Sequence, residues 1–276
     1  MKHHLIPFLF FGLCTCLLSA SCQQVHSNPN PGPLPVEAPE PMPPQQQAPV
    51  KDTLESILTL DYVMGRFNPA EHPDFIQVDL QYADKAGMYL RKDTYLAFQA
   101  MHAHAMRDGV RLQIRSATRN FYAQKAIWEG KWTGERLIET GENLAQSTPD
   151  PKERAMKILR FSSMPGSSRH HWGTDIDLNN FENSWFAAGE GLDMYNWLLR
   201  NAHLYGFCQP YTEGRPYGYW EERWHWSYTP VSSKLTAFAR AQLKNEMIDG
   251  FLGSETAPMI DIVTKYVLGI NEECNQ

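Results

Sequence analysis

The sequence predicts a mixed α+β fold in a single domain, on three observations. The candidate helices are long, the candidate strands are few and short, and the two do not alternate in the regular βαβα order of a parallel sheet. No internal repeat is visible. Of 276 residues, 42% are hydrophobic and 20% charged, the proportions of a globular chain able to bury a core of its own. A formal net charge of −6 argues against nucleic acid as a partner, since phosphate binding needs a basic face.

The N-terminal residues read as an export signal. Met1-Lys2 gives a positive start. The apolar run Leu5 to Leu18 is too short to span a bilayer comfortably, and the small residues Ser19-Ala20-Ser21 precede Cys22. A cysteine directly after small residues marks a lipoprotein signal over residues 1–22, with Cys22 as the acylated N-terminus. One departure is that Ser19 stands where a leucine is usual, with Leu18 one place further back. No later segment is apolar enough to cross a membrane, so a lipid chain is the expected tether of an exported, periplasm-facing envelope protein. Residues 23–50 carry nine prolines and the Gln45-Gln46-Gln47 tract. Such a segment cannot bury enough apolar surface to fold and serves as a semi-rigid spacer. The expected folded domain is 51–250, with 251–276 a helical extension.

Within it, Asp93 caps a helix running to Asp108 and stopped by Gly109. Val110, Leu112 and Ile114 alternate with Arg111, Gln113 and Arg115, the pattern of a half-buried strand. Asn120 caps a helix through Trp128, and a third helix starts near Pro151, where proline suits the first turn. Leu192 to Tyr205 is an amphipathic helix with Tyr195, Leu198, Leu199 and Ala202 on one side, closed by Gly206. Trp224 to Tyr228 is a strand, Lys234 to Ile248 a helix, and Pro258 to Ile270 a final helix. Cys208 and Cys274 are free to pair in an exported protein; sequence alone leaves the pairing open.

Two clusters carry chemistry: Ser168-Arg169-His170-His171-Trp172-Gly173-Thr174-Asp175-Ile176-Asp177, and Glu222-Arg223-Trp224-His225. Together they supply two imidazoles and a carboxylate, with a spare acid. A catalytic zinc site wants three protein ligands and one open position. His170, Asp177 and His225 fill that role, and Glu222, three residues before His225, is the candidate base. His171 is the rival ligand, although the spacing to Asp177 favours His170. Asp175 either orients a ligand histidine from behind or turns away to pair with an arginine. The helix-borne HExxH motif and the Gly-x-Ser-x-Gly elbow are both absent.

The run Ser168, His170, Gly173, Asp177, followed by Glu222, Trp224 and His225, resembles the zinc D-Ala-D-Ala carboxypeptidases of the VanY type and their D,D-dipeptidase and L,D-carboxypeptidase relatives. A third block, Ser116, Thr118, Arg119 and Gln124, matches too, as does the stretch from Trp197 to Phe207. The likeness covers roughly Thr94 to Tyr228. It implies a Hedgehog/D,D-peptidase-like arrangement, a small antiparallel sheet carrying the zinc site among surrounding helices. It also implies Zn²⁺ on His170, Asp177 and His225, and Glu222 as the proton carrier. Arg119 would stabilise the oxyanion or anchor substrate, Ser168 would hydrogen-bond substrate, Gln124 would brace the Arg119 loop, and Gly173 would allow close backbone approach. Asp175 and Trp172 depart from the family pattern, which often has a small apolar and a short polar residue there. The expected substrates are peptidoglycan stem peptides, cut by a D-alanyl-D-alanine carboxypeptidase. The alternatives are a D,D-dipeptidase, an L,D-carboxypeptidase, a murein endopeptidase or a non-catalytic wall-binding lipoprotein. The stretches Trp128–Phe161 and Phe207–Glu221 are expected to close the groove. Oligomeric state is not legible.

Overall fold

Polar caps and glycines set where the elements begin and stop in the computed structural model, which describes residues 55–275. The signal, the linker and Cys22 lie outside the described residues. A one-turn helix α1 (Leu60–Val63) is opened by Thr59, whose Oγ1 accepts from Tyr62 N. A hairpin follows, β1 (Phe75–Gln77) antiparallel to β2 (Tyr89–Arg91), and leads directly into α2 (Lys92–Arg107). The expected cap, Asp93, lies inside the first turn instead, and Arg91 is the N-cap. Asp93 still accepts from Thr94 N at 2.7 Å and pairs with Arg91 at 2.9 Å, so the acid serves the exposed amide groups from within the turn.

The strand expected over Val110–Ile114 is shifted to β3 (Ile114–Ser116). Leu112 and Ile114 are buried as the alternation requires. Asn179, however, occupies the backbone of Gln113, its Oδ1 accepting from Gln113 N and its own N donating to Gln113 O. Helix α3 (Phe121–Thr133) is capped by Asn120 and runs past Trp128 to Gly134, which takes up φ +79°. Helix α4 (Leu144–Ser147) precedes α5 (Pro151–Ile158), which opens on Asp150 with Pro151 in its first turn.

A 3₁₀ turn (Arg169–Trp172) enters β4 (Asp175–Leu178). Helix α6 (Gly189–Asn201) tightens into a 3₁₀ turn (Ala202–Tyr205) before Gly206. Its buried stripe is Met194, Trp197, Leu198 and Ala202, which keeps helical spacing, whereas Leu199, expected inside, is 53% exposed. Strands β5 (Phe207–Cys208) and β6 (His225–Tyr228) complete the sheet. Helix α7 (Thr229–Gln242) starts earlier than Lys234 because Pro230 fits its first turn. The expected final helix is two pieces, α8 (Thr256–Ile260) and a π turn (Val263–Val267), separated where Asp261 adopts φ +59°.

The main sheet is antiparallel in the order β3-β4-β6-β5, so the α+β class and the small antiparallel sheet agree with the sequence reading. Alternation sorts its residues by face. Ile114, Ile176, Leu178 and Trp226 enter one hydrophobic core with α2 and α6. Asp175, Asp177, His225 and Ser227 take the other face. A second core joins α3, α5 and α7 to the C-terminal segment through Ala257, Ile260, Val263, Val267 and Cys274. Cys208 and Cys274 form a disulfide with a Cα–Cα distance of 5.6 Å. Among the described residues no helix is long and apolar enough to cross a membrane.

Candidate active site

The register of β4 on β6 builds the centre of the site. Asp177 pairs with His225 and Asp175 with Ser227, which puts one carboxylate beside the His225 ring and another one pleat away. His170 arrives from the 3₁₀ turn before β4. That approach needs Gly173 at φ +73°, since a Cβ there would lie 2.4 Å from the Phe75 ring. The donor atoms of His170, Asp177 and His225 all lie within 4.8 Å of one another, and all three residues are buried.

Each imidazole is oriented by its outer nitrogen. His170 Nδ1 lies 2.9 Å from the Ala117 carbonyl, so it donates there and turns an unprotonated Nε2 to Asp177 Oδ2 at 3.2 Å. His225 Nε2 lies 2.9 Å from Asp175 Oδ2, which leaves Nδ1 facing Asp177 Oδ1 at 3.1 Å and Glu222 Oε2 at 3.3 Å. Asp177 Oδ1 is buried and makes no hydrogen bond. Two imidazole nitrogens thus converge on a carboxylate with an unused oxygen, as a cation site requires.

Electrostatics follow from that crowding. Burial would raise the Asp177 carboxyl, but His170 and His225 beside it hold it well below the usual range. Burial pushes the Glu222 carboxyl up against the opposing pull of His225. Burial and the nearby Arg119 charge lower His170. His225 is raised well above its ordinary value despite burial, because Asp175 bonds to it and the Asp177 and Glu222 carboxylates lie beside it. A group of buried acids drawing positive charge onto an imidazole is equally suited to a dication.

Arg119 overlooks the centre, with Nη1 3.6 Å from Asp177 Oδ2. Ser116 Oγ and Gln124 Oε1 hold it at 2.5 and 3.0 Å, and Gln124 donates onward to the Ser163 carbonyl at 2.8 Å. Gln124 therefore braces the arginine, as expected of it. Ser168, expected on the substrate, is 1% exposed behind the wall of the site, and its Oγ makes no hydrogen bond. It stands at the N-cap position of the 3₁₀ turn that carries His170, without a side-chain cap bond, and is not among the residues lining the groove. His171 is no rival ligand. Its Nδ1 meets the Arg119 carbonyl at 2.6 Å and its Nε2 accepts from Gly166 N at 3.0 Å. Asp175 satisfies both readings open to it, binding His225 and accepting from Arg169 Nε at 3.1 Å. Both side chains of that ion pair are fully buried, and removing one partner of such a pair costs about 3–5 kcal/mol by stranding the other charge.

A groove of ≈ 850 Å³ opens over His170, Asp177, His225, Glu222 and Arg119. Residues from both expected closing stretches line it, among them Lys131, Ile138, Tyr211 and Tyr219. The last two were missed in the sequence. The Tyr211 ring packs 4.6 Å from that of His225, and the buried Tyr219 hydroxyl lacks a hydrogen-bond partner. The only signal for them is proximity to Glu222 along the chain.

A buried His–Asp–His set on a small antiparallel sheet, with an acid and an arginine over an open groove, defines a metallohydrolase type of centre. The family profile described as "VanY: D-alanyl-D-alanine carboxypeptidase" matches residues 87–231, and the chain belongs to that family. A protein of Haemophilus influenzae (strain ATCC 51907 / DSM 11121 / KW20 / Rd), described as uncharacterized, is 32% identical over 89 residues. Those residues are 32% of this chain and 61% of that protein, so the chain spans about three fifths of the length of the curated relative it matches. Among solved structures, VanYB in complex with D-alanine-D-alanine is 22% identical with a TM-score of 0.44, covering 63% of this chain and 87% of that one. The LdcB LD-carboxypeptidase is 17% identical with a TM-score of 0.46, covering 71% and 79%. A mutant VanY D,D-pentapeptidase of a VanB-type cassette, solved with Zn(II), is 21% identical with a TM-score of 0.42, covering 63% and 94%.

Proposed function

We propose that the chain is an exported zinc D-alanyl-D-alanine carboxypeptidase acting on peptidoglycan stem peptides, tethered through Cys22. The observation that carries this reading is the Glu222 carboxylate 3.3 Å from the metal-facing nitrogen of His225, with Arg119 across the same opening. Zinc fits the residues present. Two imidazole nitrogens and a carboxylate are its usual donors, and His170, His225 and Asp177 would supply them. The donor atoms of His170, Asp177 and His225, all within 4.8 Å of one another, are placed to share one ion. When bound, zinc supplies Lewis acidity toward water and the scissile carbonyl.

The protein's own groups do the rest. Glu222, raised by burial, takes a proton from the attacking water as the C–O bond forms. It returns that proton to the departing amine as the C–N bond breaks. Arg119, held rigid by Ser116 and Gln124, faces the negative charge that gathers on the carbonyl oxygen, where a fixed cation is worth most. Tyr211 and Trp224 narrow the groove around the peptide. Mass spectrometry of stem peptides before and after digestion tests the reading, because the mass lost names the bond. Loss of one terminal alanine supports it; loss of a dipeptide, or of a cross-link, supports a sister activity instead. Glu222→Gln should retain zinc and lose turnover by a factor of about 10²–10⁴, and chelation should abolish it. Undiminished activity in Glu222→Gln would rule the mechanism out.

A further inference from the structure

His225 has two nitrogens, and something must decide which one faces the metal. Asp175 and Asp177 lie two residues apart on β4 and so share a face. Between them they bracket the imidazole, Asp175 at Nε2 (2.9 Å) and Asp177 at Nδ1 (3.1 Å). We propose that Asp175, locked in place by Arg169, is a positioning residue that fixes His225 with Nδ1 toward the metal; this rests on the zinc reading above.

Asp175 itself cannot move. Its Oδ1 accepts from Thr174 Oγ1 and Ser227 Oγ, both at 2.7 Å, and its Oδ2 accepts from Arg169 Nε. Arg169 is anchored in turn. Its Nη1 donates to Thr236 Oγ1 at 2.9 Å, its Nη2 donates to Ser227 Oγ at 2.8 Å, and its guanidinium lies 4.4 Å over the Trp172 ring. With its one proton on Asp175, Ser227 Oγ is placed to accept from Ser232 Oγ at 3.0 Å. Thr236 and Ser232 belong to α7, so a helix bonded to the sheet face that carries His225 helps set the angle of its ring. Turning that ring over would put a carbon where each nitrogen now stands, and both carboxylates would lose their partner. Neither Arg169 nor Asp175 lines the groove, so the pair acts through His225 and not on substrate. An acceptor on the far nitrogen of a ligand histidine fixes its tautomer and strengthens its grip on the ion.

If the pair merely filled space, its loss would lower the melting temperature without touching metal affinity. Zinc affinity of the full chain, measured by competition with a chromophoric chelator, separates the two. Asp175→Asn keeps the side chain's size and drops its charge. It is expected to weaken zinc binding about 10–100-fold and to change the visible spectrum of the Co(II)-loaded protein. Leu235→Ala, a cavity in the α7 core, should lower the melting temperature with affinity and spectrum unchanged. A folded Asp175→Asn with wild-type affinity and spectrum overturns the proposal. Should that variant not fold, long-range ¹H–¹⁵N correlation on the zinc-loaded wild type decides: Nδ1 metallated and Nε2 protonated supports the assignment, and Nε2 metallated defeats it. A wild type that takes up no zinc defeats this proposal together with the metal-centre reading. Zinc bound through Nδ1 without peptide cleavage defeats only the peptidase reading.

Discussion

His170 and His171 are neighbours in the chain, both buried, and their surroundings give them opposite tasks. His170 turns Nε2 to Asp177, while His171 spends both nitrogens on backbone, one on the Arg119 carbonyl and one on Gly166 N. Burial lowers the His171 pKa from 6.5 to about 3. The folded state therefore resists a proton that the unfolded chain accepts near 6.5. Its contribution to stability is complete above that value and drains away as pH falls toward 3. The unfolding free energy of the wild type minus that of His171→Asn, read from urea titrations, should shrink between neutral pH and about 4. A difference independent of pH would clear His171 of any such role. At this scale the sequence was informative: His170, Asp177, His225 and Glu222, read from their two clusters, and Arg119, read from the family resemblance, meet around one opening. It could not single out Tyr211, Tyr219 or Lys131 within the two stretches expected to close the groove, because nothing in their local sequence says which side chains face it. Nor could it choose between two roles for Asp175, when the register of β4 on β6 allows both.

The elements that departed from expectation did so where a tertiary partner outweighed a local signal. Asn179 took the backbone of Gln113 and shortened β3, and Asp261 broke what apolar spacing presents as one C-terminal helix. The Asn120 cap was legible because its bond is local, its Oδ1 accepting from the amide three residues on. Pairing of Cys208 with Cys274 was not, since it depends on where the last turn packs. That bond ties β5 to the buried end of the chain across a sequence separation of 66 residues. A closure of this length should stabilise by about 2–4 kcal/mol, chiefly by restricting the unfolded chain. Reductant strong enough to titrate both thiols should lower the urea midpoint accordingly. An unmoved midpoint with two free thiols counted would show that packing of Ile260, Val267 and Ile270 holds the C-terminal segment unaided.

On the scale of the whole molecule, the candidate site and its supports lie, among the described residues, between Tyr62 and Cys274. Ligands, base, arginine, groove and disulfide all fall within that span. Residues 1–50 lie outside the described residues, and we propose that their sequence serves delivery. An acylated Cys22 would supply the tether. Residues 23–50, with nine prolines, would supply the distance, roughly 3.1 Å per residue when extended, or up to about 90 Å. A wall polymer is a fixed, bulky substrate, so an enzyme on a lipid must either stand off from the membrane or wait for fragments to diffuse. Tether and catalysis should then separate cleanly. Cys22→Ser is expected to shift the protein from the membrane fraction to the soluble fraction. Its melting temperature, its zinc content and its turnover of small stem peptides should stay unchanged. Retention of Cys22→Ser in the membrane fraction would mean that something other than an acyl chain holds it there. A loss of turnover on soluble peptides would mean that the N-terminal region contributes to the site.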